Sequence, residues 1–142
     1  MACRNAAVTL PEPQPEMNEK PEEKVEEKTT PNQALLYRLS GDLNPLHADP
    51  AFASGVGFTQ GPILHGLATL GFMVRHVARA CCGGDATRIT GFEAQFRRPV
   101  WPGDVIVTEG WQVRPGAVAL QVKVPSRDDT VLLGAWALLD GA

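Results

Sequence analysis

Residues 61–84 read GPILHGLATLGFMVRHVARACCGG. After Pro62 the run is apolar on nearly every helical face until Arg75, and Gly83-Gly84 close it. A glycine pair just past the last periodic residue is a helix stop. A helix without a polar face has to be surrounded, so this one is expected at the centre of the molecule. Gly66, Ala68 and Gly71 are small enough to let another layer approach it closely.

What surrounds the helix follows it in sequence. TRITGFEAQFRRP (87–99), DVIVTEGWQVR (104–114), AVALQVKVP (117–125) and TVLLGAWALLD (130–140) alternate or run apolar. Short turn signals separate them: Trp101-Pro102-Gly103-Asp104, Arg114-Pro115-Gly116 and Ser126-Arg127-Asp128-Asp129. Four consecutive strands with short connections form an antiparallel sheet. The expected fold class is therefore α+β, a sheet wrapped round one long helix. Such a sheet has open edges, and a second copy or a partner domain is expected to cover them. Trp101, Trp111 and Trp136 read as packing anchors of the sheet.

Upstream, NQALLYRLSG (32–41) spaces Leu35, Leu36 and Leu39 for a short amphipathic helix ended by Gly41. LSGDLNPLHADP (39–50) is a loop, because Pro45 forces Asn44 into an extended conformation. Asp49-Pro50 then reads as an N-cap with proline at the first helical position, opening a short helix over PAFAS. PEPQPEMNEKPEEKVEEKTTP (11–31) is rich in Pro, Glu and Lys and almost free of apolar side chains. It cannot bury enough surface to offset the entropy of ordering, so residues 1–30 are expected to be a disordered acidic tail and 31–142 the domain. A short helix over 22–28, laced by Glu/Lys pairs, is the alternative there.

Charge and cysteine usage exclude several classes. The 142 residues carry a formal net charge of -3. Residues 1–30 hold seven acids and four bases, which leaves nine of each in the remainder. A balanced body gives no basic footprint for nucleic acid. Cys3, Cys81 and Cys82 are odd in number and two are adjacent, so they read as free thiols in a reducing compartment. No zinc-type Cys/His spacing is present. Nor is there an apolar h-region after Met1, a Ser-Lys-Leu terminus or an apolar run long enough to span a bilayer. A soluble intracellular protein is expected.

The chemistry-bearing residues cluster in the loop: Asp42, Asn44 and His47 within six positions. Taken alone, such a stretch is a turn former whose side chains bond their own backbone. The start of the central helix lies within about twenty residues, however, and brings unpaired backbone N–H groups at the positive end of a dipole. An acid/base pair beside such donors is equipment for chemistry next to a polarised carbonyl. No nucleophilic Ser or Cys is set beside a base, which argues against an acyl-enzyme.

YRLSGDLNPLHADPAFA (37–53) resembles the hydratase 2 motif of the MaoC-like (R)-specific enoyl-CoA hydratases. GPILHGLATLGF (61–72) and FEAQFRRPVWPGD (92–104) are similar to that family's central helix and its following strand and turn. The resemblance covers 32–140 and implies a hot-dog fold. It also implies syn hydration of a trans-2-enoyl-CoA to the (3R)-hydroxyacyl-CoA in fatty-acid metabolism, with the CoA thioester as substrate and no metal or redox cofactor. By the same resemblance, Asp42 and His47 match the catalytic pair, and Asn44 a residue that hydrogen-bonds within the site. Gly66 matches the glycine whose N–H binds the thioester oxygen. Which of Asp42 and His47 gives the proton stays open. His65 reads as structural at the start of the helix. His76, among Arg75 and Arg79, is expected on the exposed end of the helix without a catalytic part. Arg97 and Arg98 read equally as phosphate ligands or solvated strand-end residues.

NQALLYRLSGD (32–42) looks most like the C-terminal hot-dog half of the hydratase 2 part of the peroxisomal multifunctional enzyme. That arrangement implies a cytoplasmic or peroxisomal location and a hot-dog first half that supplies room for the acyl chain. Here only AAVTL (6–10) offers a strand before the loop. A homodimer, or pairing with another hot-dog domain, is expected to replace the first half. The alternative is a non-catalytic or partner-dependent acyl-CoA-binding hot-dog protein. A hot-dog thioesterase would need a differently placed carboxylate.

Overall fold

The computed structural model describes residues 20–140. In chain order they form β1 (Glu23–Lys28), α1 (Gln33–Arg38), α2 (Pro50–Gly55), α3 (Gly66–Cys81), β2 (Ile89–Phe96), β3 (Val105–Arg114), β4 (Ala117–Val124) and β5 (Asp129–Leu139). Short 3₁₀ turns lie at Pro45–His47, Ala86–Arg88 and Pro125–Arg127. The five strands make one antiparallel sheet in the order β1-β3-β4-β5-β2, and α3 packs on one of its faces. Among the described residues no helix is long and apolar enough to cross a membrane.

The core explains that arrangement. Ala68, Phe72, Met73 and Val77 of α3 pack on Ile106 of β3, on Val118, Leu120 and Val122 of β4, and on Leu132 and Ala135 of β5. Each fully buried aliphatic side chain contributes about 1.5–3 kcal/mol, so this seam dominates the fold's stability. On the far face Ala119 lies between Trp111 and Trp136 in the register, where its small side chain makes room for two buried indoles. These two tryptophans are packing anchors, as read from the sequence. Trp101 donates its indole N–H to Gly61 O at 3.1 Å and lies under the Arg127 guanidinium at 4.8 Å.

Four expectations need correcting. The run EKVEEK, expected in a disordered tail or a short helix, is strand β1; the expectation for residues 1–19, AAVTL included, lies outside the described residues. Composition counted too few apolar side chains, but β1 is held by its ladder to β3 and by its inward-facing positions. Val25 and Glu27 are half-buried, opposite Thr108 and Ile106. Thr29 is buried, bonds Asp104 O through both N–H and hydroxyl at 2.9 Å, and accepts from Gly103 N–H at 2.8 Å.

His76 is the second correction: it is fully buried, not exposed. Its Nε2–H points to Glu27 Oε2 at 3.2 Å and its Nδ1 meets the Thr108 hydroxyl at 2.8 Å. Arg75 and Arg79 also reach Glu27, at 2.6 and 3.6 Å. The pair of arginines that suggested an exposed end is the outer half of a clamp holding β1 to α3. Burial lowers the His76 pKa, and Glu27 opposes that shift.

Third, α3 is covered on three sides rather than all round. Leu67, Gly71, Arg75 and Arg79 form an exposed stripe at intervals of four. Last, the leucines in and just after α1 do not face the core. Leu35, Leu36 and Leu39 are all more than half exposed, and Ala34 is the buried position, because only a small side chain lets so short a helix seat closely.

Candidate active site

Local chemistry shapes the loop before α2. Gly41 takes a φ of +108°, which turns the chain out of α1 at little cost. The Asp42 carboxylate accepts the Asn44 N–H through Oδ1 at 3.2 Å, and Asn44 Oδ1 accepts the Leu46 N–H at 3.0 Å. Two successive Asx turns thus lead into the Pro45–His47 turn. Asp49 then caps α2, accepting from Ala51 N–H at 2.8 Å and Phe52 N–H at 3.2 Å, with Pro50 at the first helical position. The self-bonding expected of a bare turn former is present, and it aims the side chains rather than exhausting them.

His47 is 9% exposed and its Nδ1 lies 2.8 Å from Ile63 O. A carbonyl only accepts, so Nδ1 carries the proton and Nε2 of the neutral ring keeps a free lone pair. The Asp42 side chain is half exposed. A nitrogen of His47, one of His65 and an Asp42 oxygen all lie within 4.8 Å of one another. Asp42 and His47 therefore converge, and the sequence reading did not place His65 with them.

His65 stands at the N-cap position of α3 and is 2% exposed. Its ring stacks on His47 at 3.7 Å between centroids and 26° between planes, and Tyr37 of α1 tilts against it at 4.7 Å. His65 Nε2 is 3.9 Å from Asp42 Oδ2. Burial and the neighbouring His47 push its pKa down, with Asp42 pulling the other way. The signal that could have found it is its position: the residue before Gly66 must lie at the end of α3 that faces the loop.

Two histidines and a carboxylate are a familiar metal set. Here the stacking argues against one. An ion about 2.1 Å from each nitrogen has to lie near both ring planes. Two rings stacked almost face to face cannot offer that point.

Gly66 opens α3, so its N–H belongs to the first turn, where no intrahelical acceptor exists. A Cβ there would meet the Phe96 ring at 3.1 Å. A cavity of about 270 Å³ runs past Gly66 and His47, walled by Ile63, Thr69, Phe96 and Arg97. The cavity thus joins a proton acceptor to a backbone donor. Asn44 uses its side-chain oxygen on the loop itself, and Arg98 also borders the cavity.

This assembly has known counterparts. Residues 12–132 match the family model described as the MaoC like domain. The chain is 50% identical over 109 residues to enoyl-CoA hydratase 2, peroxisomal, of Arabidopsis thaliana, covering 77% of this chain and 35% of that protein. It is 43% identical over 131 residues to peroxisomal multifunctional enzyme type 2 of Mus musculus, covering 92% of this chain and 17% of that one. Among solved structures it superposes on a MaoC-like dehydratase from Phytophthora capsici with a TM-score of 0.83 at 40% identity, covering 86% of this chain and 41% of that one. The chain spans about a third of the plant relative's length and less of the mouse protein's. With its five-stranded sheet, its long α3 packed on that sheet and its Asp42/His47 loop, the chain belongs to the MaoC-like domain family.

Proposed function

We propose that this chain is an (R)-specific enoyl-CoA hydratase, adding water syn across trans-2-enoyl-CoA to give (3R)-hydroxyacyl-CoA. The observation that carries the reading is the convergence of the Asp42 carboxylate and the free Nε2 lone pair of His47 beside the first turn of α3. Both groups accept, so one water can donate a proton to each. As its oxygen bonds to C3, one acceptor takes a proton, electron density moves to the thioester oxygen, and that acceptor returns the proton to C2 on the same face. The water supplies both new bonds, and no other proton source is needed. Gly66 N–H and the positive end of α3 stabilise the negative charge while it resides on the thioester oxygen. Asn44 holds the carboxylate through its backbone N–H.

The reaction needs no metal or redox cofactor, and the thioester itself is the activated group. Arg98, exposed beside the cavity, is a candidate for the CoA phosphates. The names of the plant and mouse relatives support a peroxisomal setting. The decisive experiment follows hydration of short and medium trans-2-enoyl-CoAs by the purified chain, with product read by a dehydrogenase specific for the (3R) alcohol. Absence of the (3R) product from a folded, dimeric chain would sink the hydratase reading.

A second reading has its own observation. The exposed stripe of α3, with Leu67, Leu70, Val74 and Phe92, lines an open apolar groove of about 630 Å³, and β2 beside it is an edge strand. Uncovered apolar surface of this kind marks an interface. We propose that a second copy of this chain, or another hot-dog domain, covers it. A chain that is folded alone yet active only with a different hot-dog partner would be a partner-dependent subunit. Native mass with and without such a partner separates the two.

A further inference from the structure

His65 holds less than its burial demands. The side chain is 2% exposed, yet neither ring nitrogen makes a well-formed hydrogen bond among the described residues; its polar neighbours are the backbone and carboxylate of Asp42. An imidazole has at least one N–H, and burying it unpaired costs free energy that a leucine or phenylalanine in the same space would not. It does not cap α3 either: at the N-cap position its side chain makes no capping bond.

Its surroundings say what the nitrogen is for. From α1 it meets the Tyr37 ring, from the Pro45–His47 turn the His47 ring, and from the preceding loop the Asp42 carboxylate. Asp42 Oδ1 is already taken by the Asn44 N–H. Oδ2 is the oxygen that faces His65 Nε2, at 3.9 Å, and about 1 Å of carboxylate movement makes that a charge-assisted bond. Asp42 is half exposed on a loop, so it is the partner able to move.

We infer that His65 is a positioning residue for the hydratase chemistry: its neutral ring donates Nε2–H to Asp42 Oδ2 and braces the His47 ring by stacking. The inference rests on the reading under Proposed function. One lone pair of Oδ2 is fixed by His65, and the other faces the site to receive water. The His47 ring is pinned at its edge by Ile63 O and across its face by His65, so its Nε2 has one direction left. Neutrality matters, because a charged His65 at 3.7 Å would repel the proton that His47 has to accept. Burial and His47 both depress the His65 pKa, which keeps that ring uncharged near neutral pH.

The test uses the full chain with His65→Phe, which keeps a flat ring and loses the donor, and His65→Gln, which keeps a donor. His65→Phe is expected to lower kcat about 10- to 100-fold with KM within about twofold, and to move the acidic limb of the kcat/KM profile to higher pH. His65→Gln should recover part of both. In an Asp42→Asn background His65→Phe should cost less than about threefold, because the partner is already changed. A loss equal in both backgrounds, with an unmoved pH profile, would mean that His65 only fills space. One measurement needs neither turnover nor a variant. The ¹⁵N shifts of His65 in the wild-type chain should report a neutral ring protonated on Nε2 at pH 7; a charged ring, or the Nδ1–H tautomer, overturns the inference. A wild-type chain without turnover but with that tautomer would remove the hydratase reading and leave the Asp42–His65 arrangement standing.

Discussion

Two buried histidines, eleven positions apart on and beside one helix, are treated in opposite ways. Towards the C-terminal end of α3, His76 has a partner for each nitrogen, Thr108 and Glu27, and Glu27 is itself tied to Arg75 and Arg79. At its beginning, His65 has rings against its faces and, among the described residues, no well-formed hydrogen bond to either nitrogen. A fully bonded polar cluster fixes one arrangement, here the docking of β1 onto α3. A cluster left open has bonding capacity to give a substrate, a water or a neighbour that moves. The first end of the helix is built for work and the second for holding the chain together.

The largest test of that contrast is Asp42→Asn. It should lower hydration by about 10²–10⁴-fold, as loss of a general acid/base group does, while the thermal midpoint stays close to wild type. Steady-state rates and a melting curve on the same preparation check both halves. If activity and stability fell together, the open end would be structural after all.

Glu27→Ala attacks the other end. It leaves the His76 N–H buried without an acceptor and frees two arginines, for a loss of about 1–3 kcal/mol. Urea unfolding should read that loss, with activity per folded molecule unchanged. Partial exposure of Glu27 puts the expectation towards the lower figure.

Gly66→Ala sharpens the comparison further. The new Cβ would come within 3.1 Å of the Phe96 ring, but Phe96 is half exposed and can swing away. Stability should change by less than about 1 kcal/mol, since alanine is the better helix former. Turnover should fall several-fold as the ring shifts over the cavity, and medium-chain substrates read against short ones would show where it goes.

The smallest effect is in pH. Both His65 and His76 have pKa values lowered in the folded chain from an ordinary 6.5. The unfolded chain therefore binds more protons below about pH 6.5, so stability should fall as the solution is acidified through that range and level off above it. Urea midpoints between pH 5 and 8 give the slope, and His76→Gln should flatten it. A midpoint that rose on acidification would contradict the burial of both rings.

Much of this was legible from the residues in order. The long apolar run between Pro62 and Gly83 had to be a central helix, and four turn-separated segments after it had to be an antiparallel sheet. Asp49-Pro50 declared the start of α2, and the short spacing of Asp42, Asn44 and His47 around Pro45 declared a shaped loop. These are local facts, set by backbone sterics and by side chains within a few residues of each other. β1 was not legible, because its support comes from the edge of β3, some eighty residues later. A separation of 49 positions likewise hid His76: a histidine flanked by two arginines looks solvated until Glu27 arrives from β1 to neutralise them.

By itself, then, the sequence determined the helix, the sheet, the loop and the residue types able to handle a proton, because each depends on periodicity or on neighbours along the chain. Only the tertiary structure decided which nitrogen of His47 keeps its lone pair and that His65 joins Asp42 and His47. Those depend on Ile63 O and a ring stack brought together from separate segments, and a hydrogen bond or a stack exists only when its two partners are within a few ångströms.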